Sequence, residues 1–186
     1  MRVFKRGLVF LAVIAMAGQA EAESWPTPYT AEEIRDVWVE GFWLDTRVES
    51  AEGVVVNRIE VLEWSSEGAV LRETPNDAAD DELEGLASMA VTWEQLRSHA
   101  MFDKDSTTRK REIRATPLGT LEGWLFTRTD SNGRAEFFFA DGLPGPPVVY
   151  GQTGADGVTT SQAVQVARYG VDPASTLLES TPAPPV

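Results

Sequence analysis

Alternation of apolar and polar residues dominates the chain from residue 42 onward and predicts a protein built mainly from strands. Phe42, Leu44 and Val48 point one way while Asp45 and Arg47 point the other, as a half-buried strand requires. Similar segments recur to residue 167, and the short apolar segment 86–91 would bring their number from eight to nine. The predicted strands cover 42–50, 54–64, 69–73, 107–115, 121–127, 135–140, 148–153 and 158–167.

Short turns join most of these segments and predict antiparallel pairing, because parallel neighbours need long crossovers. Asp130-Ser131-Asn132-Gly133 is the strongest of these signals, since Asn-Gly accepts the positive φ angles of a tight hairpin. Glu52-Gly53, Glu67-Gly68 and the segment 154–157 are further turn candidates.

Two segments depart from the alternating pattern and predict short helices. Thr30 with Glu33, and Thr92 with Gln95, have the capping-box spacing of a helix start. The helices are predicted to run to about residues 38 and 100. Their apolar faces would comprise Ile34, Val37, Trp38, Trp93, Leu96 and Ala100.

Several strands are apolar on both faces, which indicates that both faces are covered. In the segment 121–127, Leu121 and Leu125 oppose Trp124 and Phe126. We therefore predict a mainly β (α+β) fold, in which a single curved antiparallel sheet or half-barrel carries two short helices packed on it.

The N-terminal 22 residues have the layout of a cleavable export signal. Basic residues precede the apolar run Leu8 to Ala17, and the small residues Ala20 and Ala22 follow it, so cleavage is predicted before Glu23. An uncleaved membrane anchor is the alternative, but the apolar run is about half the roughly 20 residues that a span needs. We predict a soluble periplasmic protein with one β domain at 23–170 and a proline-rich disordered tail at 171–186.

Composition and charge limit the function further. The absence of cysteine excludes lipidation at cysteine and any disulfide. Residues 1–22 carry three basic groups and one acidic group, so their removal would change the formal net charge from −13 to −15. This charge argues against nucleic acid and against stable association with an anionic membrane after cleavage. A basic partner or a divalent cation stays open, although an acidic surface that keeps the protein soluble is favoured.

Candidate catalytic chemistry is sparse. His99 is the one histidine, which excludes paired-histidine relays and multi-histidine metal sites, and Gly-x-Ser-x-Gly is absent. Asp130 opens a turn whose later calcium ligands are missing, and the acidic segment 75–85 is typical of a solvated loop more than of a divalent-ion site. The sequence therefore predicts no catalytic residue, no metal site and no cofactor.

Aromatic residues are the most suggestive feature, with six tryptophans and eight phenylalanines. Core packing is their ordinary use, and an apolar ligand cavity on the curved sheet is the alternative. The candidate ligand-binding residues are Trp124, Phe126, Phe137 and Phe139.

The segments 116–124, 137–140 and 143–148 resemble the C-terminal hairpins of small uncharacterised exported bacterial β-sheet proteins. Those proteins are distantly similar to periplasmic lipoprotein-carrier-like half-barrel domains. The resemblance covers about residues 107–167 and implies a curled antiparallel sheet around a helix, with acyl-chain binding in some relatives.

Three functions follow from these observations. The leading hypothesis is a non-enzymatic periplasmic binding or interaction module whose partner is an unknown protein or an apolar small ligand. A carrier of lipophilic ligands in a half-barrel cavity is a sharper form of it. A carboxylate-dependent hydrolase is the third, and it predicts two converging acidic residues with raised pKa values.

Overall fold

The computed structural model describes residues 23–76 and 87–170. The predicted signal at 1–22, most of the acidic segment and the predicted tail at 171–186 lie outside these residues. The elements are α1 (Ala31–Val37), β1 (Trp43–Ser50), β2 (Gly53–Trp64), β3 (Gly68–Pro75), β4 (Ser88–Thr92), α2 (Trp93–Ser98), β5 (Thr107–Thr116), β6 (Gly119–Asp130), β7 (Gly133–Ala140), β8 (Val149–Gly154) and β9 (Thr159–Arg168).

All nine strands form one antiparallel sheet in the order β4-β3-β2-β1-β9-β8-β7-β6-β5. Each half is a meander of neighbouring hairpins, and the β1–β9 ladder joins the two halves, from Leu44 opposite Arg168 to Ser50 opposite Ser161. The sheet is open, with β4 and β5 at its edges. The predicted curved antiparallel sheet with two short helices is confirmed.

Both helices begin at the capping boxes that the sequence predicts. The Thr30 hydroxyl accepts from the Glu33 amide at 3.1 Å, and the Glu33 carboxylate accepts from the Thr30 amide at 2.7 Å. Thr92 and Gln95 form the same pair of hydrogen bonds. The helices are slightly shorter than predicted, because Trp38 and His99 are their C-caps.

The helices cover one face of the sheet, which we call the inner face. Ile34 of α1 and Trp93 of α2 belong to a single buried cluster with Leu44, Val61 and Phe126 from the strands beneath them. Because this cluster spans both halves of the sheet, it is the main core of the domain.

The opposite, outer face differs between the two halves of the sheet. In the C-terminal half, Leu125 and Phe138 form a second buried cluster that Leu143 of the β7–β8 connection packs against. In the N-terminal half, the outer face carries ion pairs, in which Asp45 pairs with Arg58 at 2.8 Å. Strand β6, which the sequence shows to be apolar on both faces, therefore lies where both faces of the sheet are covered.

No helix among the described residues is long and apolar enough to span a bilayer.

Candidate functional site

The four residues predicted to bind a ligand lie together on the inner face. Trp124 and Phe126 of β6 are cross-strand partners of Phe139 and Phe137 of β7, respectively. Directly opposite residues of antiparallel strands project to the same face, so the four rings form one patch. Phe126, Phe137 and Phe139 are buried, and Trp124 is partly buried.

Phe102, from the segment between α2 and β5, fills the space above this patch. Its ring centroid lies 4.7 Å from that of Phe126 and 4.8 Å from that of Phe137, and 6.1 Å from that of Phe139. The sequence analysis missed Phe102 because it belongs to no predicted helix or strand. An apolar ligand could reach these rings only if Phe102 moved away from them.

The N-terminal segment 23–25 fixes the backbone around Phe102. The Trp25 amide donates to the Phe102 carbonyl at 2.8 Å, and the Lys104 amide donates to the Glu23 carbonyl at 3.0 Å. The Trp25 indole Nε1 donates to the Thr107 carbonyl at 2.8 Å. Trp25 is therefore partly buried against β5, although it precedes every helix and strand of the domain.

An arginine is stacked beside this segment, at the inner face of β5. The guanidinium carbon of Arg109 lies 3.5 Å from the ring centroid of Trp124, 5.4 Å from that of Phe126 and 6.0 Å from that of Trp25. Contacts of this kind hold a guanidinium by attraction to the ring face. We call Trp25, Thr107, Arg109 and Trp124 the Arg109 site.

Two polar atoms of the Arg109 site lack partners within the described part of the chain. Both Arg109 Nε and the Thr107 hydroxyl oxygen are buried and make no hydrogen bond there. Thr107 is 2% exposed, and it projects to the same face as Arg109 because the two residues are two positions apart on β5. The Arg109 site therefore has polar atoms in place and no acceptor for the arginine.

Charges around the Arg109 site are mostly neutralised, but that of Arg109 is not. Arg111 hydrogen-bonds to Asp141 at 3.0 Å and to Glu122 at 2.7 Å, and these bonds raise its pKa. Arg109 forms no ion pair with any described carboxylate, and burial together with the charge of Arg111 lowers its pKa. Each of the other arginines described has a carboxylate or carbonyl partner; those with carboxylates are Arg35, Arg47, Arg58, Arg72, Arg97, Arg111, Arg114, Arg128 and Arg134.

Arg168, on the inner face at the end of the central strand β9, has carbonyl partners. It is 2% exposed, and its guanidinium donates to the carbonyls of Leu143, at 3.3 Å, and of Pro144. Its guanidinium carbon lies 5.1 Å from the Phe42 ring centroid, and the Trp38 indole donates to the same Pro144 carbonyl at 2.9 Å. Burial lowers the pKa of Arg168 to about 10, so the side chain stays charged at neutral pH. We call Trp38, Phe42, Pro144 and Arg168 the Arg168 clamp.

Carboxylate and metal chemistry has little support in the residues described. Burial raises the pKa of Glu73, whose carboxylate accepts from the Asn57 side-chain amide at 2.9 Å. The hydrolase hypothesis requires two converging acidic residues with raised pKa values, and the side-chain hydrogen-bond partner of Glu73 is an amide instead of a second acid. Within residues 23–76 and 87–170, no three acidic or histidine side chains are grouped to hold a metal ion.

A shallow groove of about 280 Å³ lies near the β4 edge, at the far side of the sheet from the Arg109 site. Trp64, Gly68, Val91 and Gln95 are among the residues that line it. It is near the lower limit of small-molecule sites, which occupy about 300–1,000 Å³.

Comparisons with known proteins identify solved structures that have a similar fold. No protein-family profile and no curated protein matches the chain. A chain of the Pseudomonas aeruginosa MucA/MucB complex matches with a TM-score of 0.52 and 12% identity, over 82% of this chain and 58% of that one. A second structure, of MucB, matches with a TM-score of 0.50 and 12% identity, over 81% of this chain and 61% of that one.

Two further matches have lower scores. A protein proposed to be a lipoprotein of Parabacteroides distasonis has a TM-score of 0.39 and 12% identity, over 70% of this chain and 96% of that one. A domain proposed to be an outer membrane lipoprotein-sorting protein of Vibrio parahaemolyticus has a TM-score of 0.27 and 8% identity, over 80% of this chain and 95% of that one.

The chain thus shares the fold of MucB and spans about three fifths of the length of the MucB structures it matches. The distant resemblance predicted from sequence is confirmed at the level of the fold.

Proposed function

We propose that this protein is a non-enzymatic periplasmic module that binds a partner protein at its surface. The observation that carries this proposal is the filled inner face: Phe102 stacks on Phe126 at 4.7 Å, and both helices pack over the rest of the sheet. A binding module with a filled interior engages its partner through its edges and outer surface. The MucB-like fold is consistent with this, since MucB has been solved together with MucA.

Location and partner binding are tested together in intact cells of the source bacterium. The tagged chain is expected in the periplasmic fraction with Glu23 as its first residue, because residues 1–22 have the layout of an export signal. Chemical crosslinking before lysis should convert part of it into a discrete larger species that contains a second polypeptide. An unrelated exported protein with the same tag is the control. A chain that keeps residues 1–22, or that stays free of any second polypeptide, would contradict the proposal.

A carrier of lipophilic ligands is the second candidate, because the four predicted ligand-binding residues form one contiguous patch. In this proposal, Trp124, Phe126, Phe137 and Phe139 contact the ligand after Phe102 has moved out. Protein purified without detergent should then contain lipid detectable by native mass spectrometry, and the apolar dye N-phenylnaphthylamine should bind in a saturable way. Phe102→Ala should strengthen dye binding. No lipid and no dye binding by either protein would eliminate the carrier.

A further inference from the structure

Arg109 is an oriented positive charge in a strongly acidic protein, and we propose that the Arg109 site binds a carboxylate of an extended acidic peptide that pairs with the edge of β5 from Arg109 onward. This proposal rests on the proposed function and deepens it, since it names the surface and the chemistry of the partner.

The positive charge of Arg109 has no anionic partner among the described residues. The protein has a formal net charge of −13, yet the described residues bring no carboxylate to this guanidinium, whereas the neighbouring Arg111 has two. Stacking on Trp124 holds the guanidinium in place without using its five N–H donors. An incoming carboxylate would find the donors already oriented, which reduces the entropy lost on binding.

Thr107 supplies a second polar group at the same place. Its hydroxyl is buried and has no hydrogen-bond partner among the described residues, whereas buried polar groups ordinarily have one. Thr107 and Arg109 lie on the same face of β5, so one bound oxyanion near them would satisfy both groups. The two unsatisfied groups are independent of each other, and both indicate a missing acceptor.

A carboxylate fits the local charge better than a phosphate. Arg111 contacts two carboxylates, Asp141 and Glu122, and Lys104 contacts Glu23, so Arg109 is the cation of this group that has no direct carboxylate contact among the described residues. A single positive charge matches a monoanion, whereas a phosphate with nearly two negative charges would be left with an unneutralised charge.

An extended peptide fits because β5 is a long strand with one described neighbour. Ten residues of β5 pair with β6 on one side, and the other side ends the sheet. The Trp25 indole donates to the Thr107 carbonyl at 2.8 Å, so an added strand would pair with β5 from Arg109 onward. A strand added there would gain main-chain hydrogen bonds, and its alternate side chains would meet the inner-face residues of β5. These include Arg109 and, four positions on, Ile113, which is 69% exposed. The expected partner segment therefore places an acidic residue near Arg109 and an apolar residue near Ile113.

Charged residues on edge strands often serve to prevent pairing, and Lys110 and Arg114 fit that role because they lie on the outer face. Arg109 does not fit it. Its guanidinium lies over the Trp124 ring, on the inner face, and so does not extend outward from the edge of the strand.

The experiment uses the mature chain and a blocked synthetic octapeptide of threonine in which one glutamate and one valine lie four positions apart, so that both side chains project to the same face. Isothermal titration calorimetry should show one site that weakens as salt is raised, because exposed charges are screened. A peptide with glutamine in place of the glutamate should bind at least ten-fold more weakly. Arg109→Gln should lower the affinity for the glutamate peptide at least ten-fold, while Arg47→Gln, at an exposed arginine in the middle of the sheet, should change it less than two-fold.

Further variants keep the test decisive if Arg109→Gln folds poorly in circular dichroism. Arg109→Lys keeps the charge and loses the planar stacking, and Thr107→Val removes the hydroxyl at constant shape; each should weaken binding about three-fold or more. Equal binding of the two peptides, wild-type affinity in the folded variants, or no binding of the glutamate peptide would overturn the assignment. In the last case, a partner crosslinked in cells would still support the proposed function, since another surface would then bind it.

Discussion

The Arg168 clamp on the central strand β9 and the Arg109 site on the edge strand β5 place the same kind of side chain against aromatic rings on one sheet face, with opposite outcomes. Arg168 is surrounded by carbonyl acceptors, so its charge secures the β7–β8 connection. Arg109 has its rings but no acceptor within the described residues. An arginine that donates to carbonyls within the fold acts as a structural element, whereas an oriented arginine without such acceptors is available to a ligand.

The largest expected difference in stability between the Arg168 clamp and the Arg109 site concerns their tryptophans. Trp38 is 1% exposed, so Trp38→Ala should lower the free energy of unfolding by about 3–5 kcal/mol. Trp124 is partly buried, so Trp124→Ala should cost about half as much. Urea unfolding followed by circular dichroism measures both. Equal losses would show that the Arg109 site is packed as tightly as the clamp.

A smaller difference is expected between the two arginines. Arg168→Met leaves the buried carbonyls of Leu143 and Pro144 without their charged donor, which should lower the free energy of unfolding by about 2–3 kcal/mol. Arg109→Met removes only stacking on Trp124, which is worth about 0.5–1 kcal/mol. The same urea experiment compares them. If Arg109→Met proved the more damaging, Arg109 would be a structural residue.

The smallest effect on stability is expected at Glu73 of β3, which belongs to neither the Arg168 clamp nor the Arg109 site, and this effect depends on pH. Because burial raises the folded-state pKa of Glu73 above its unfolded value of 4.5, the folded state binds more protons in that range, and its stability falls as pH rises through it. Glu73→Gln keeps the oxygen that accepts from Asn57 and removes the charge, so it should raise the melting temperature at pH 7.

The control for Glu73→Gln is Glu52→Gln, at an exposed turn position, which should leave the melting temperature nearly unchanged. At pH 4 the Glu73→Gln protein and the wild type should melt at nearly the same temperature. A lower melting temperature of Glu73→Gln at pH 7 would show that the ionised carboxylate is stabilising.

Local features of the fold were predictable from sequence. The Thr30–Glu33 and Thr92–Gln95 capping boxes each lie within four residues, and the hairpin at 130–133 depends on its own turn residues. The apolar pattern on both faces of 121–127 also predicted that β6 is covered on both sides, as Phe126 and Leu125 show. These signals need no knowledge of distant partners.

The Arg109 site was not predictable in the same way, although Trp124 was singled out. The segment 107–115 has a polar pattern that indicates an exposed strand, and Trp25 precedes the predicted elements. The two meet because segment 23–25 bonds to the chain around Phe102, about 80 residues later. Phe102 escaped notice for the same reason, since only tertiary pairing brings it over Phe126.

The β1–β9 ladder has a consequence for how the protein assembles. Each meander can pair its own hairpins early, but the strands that unite the two meanders lie more than 110 residues apart, and non-local pairing of this kind forms slowly. Until β1 and β9 pair, these two strands are additional open edges, on which two copies could exchange halves or aggregate. The pairing of β9 with β1 therefore sets the time after which these edges are closed to domain exchange and aggregation.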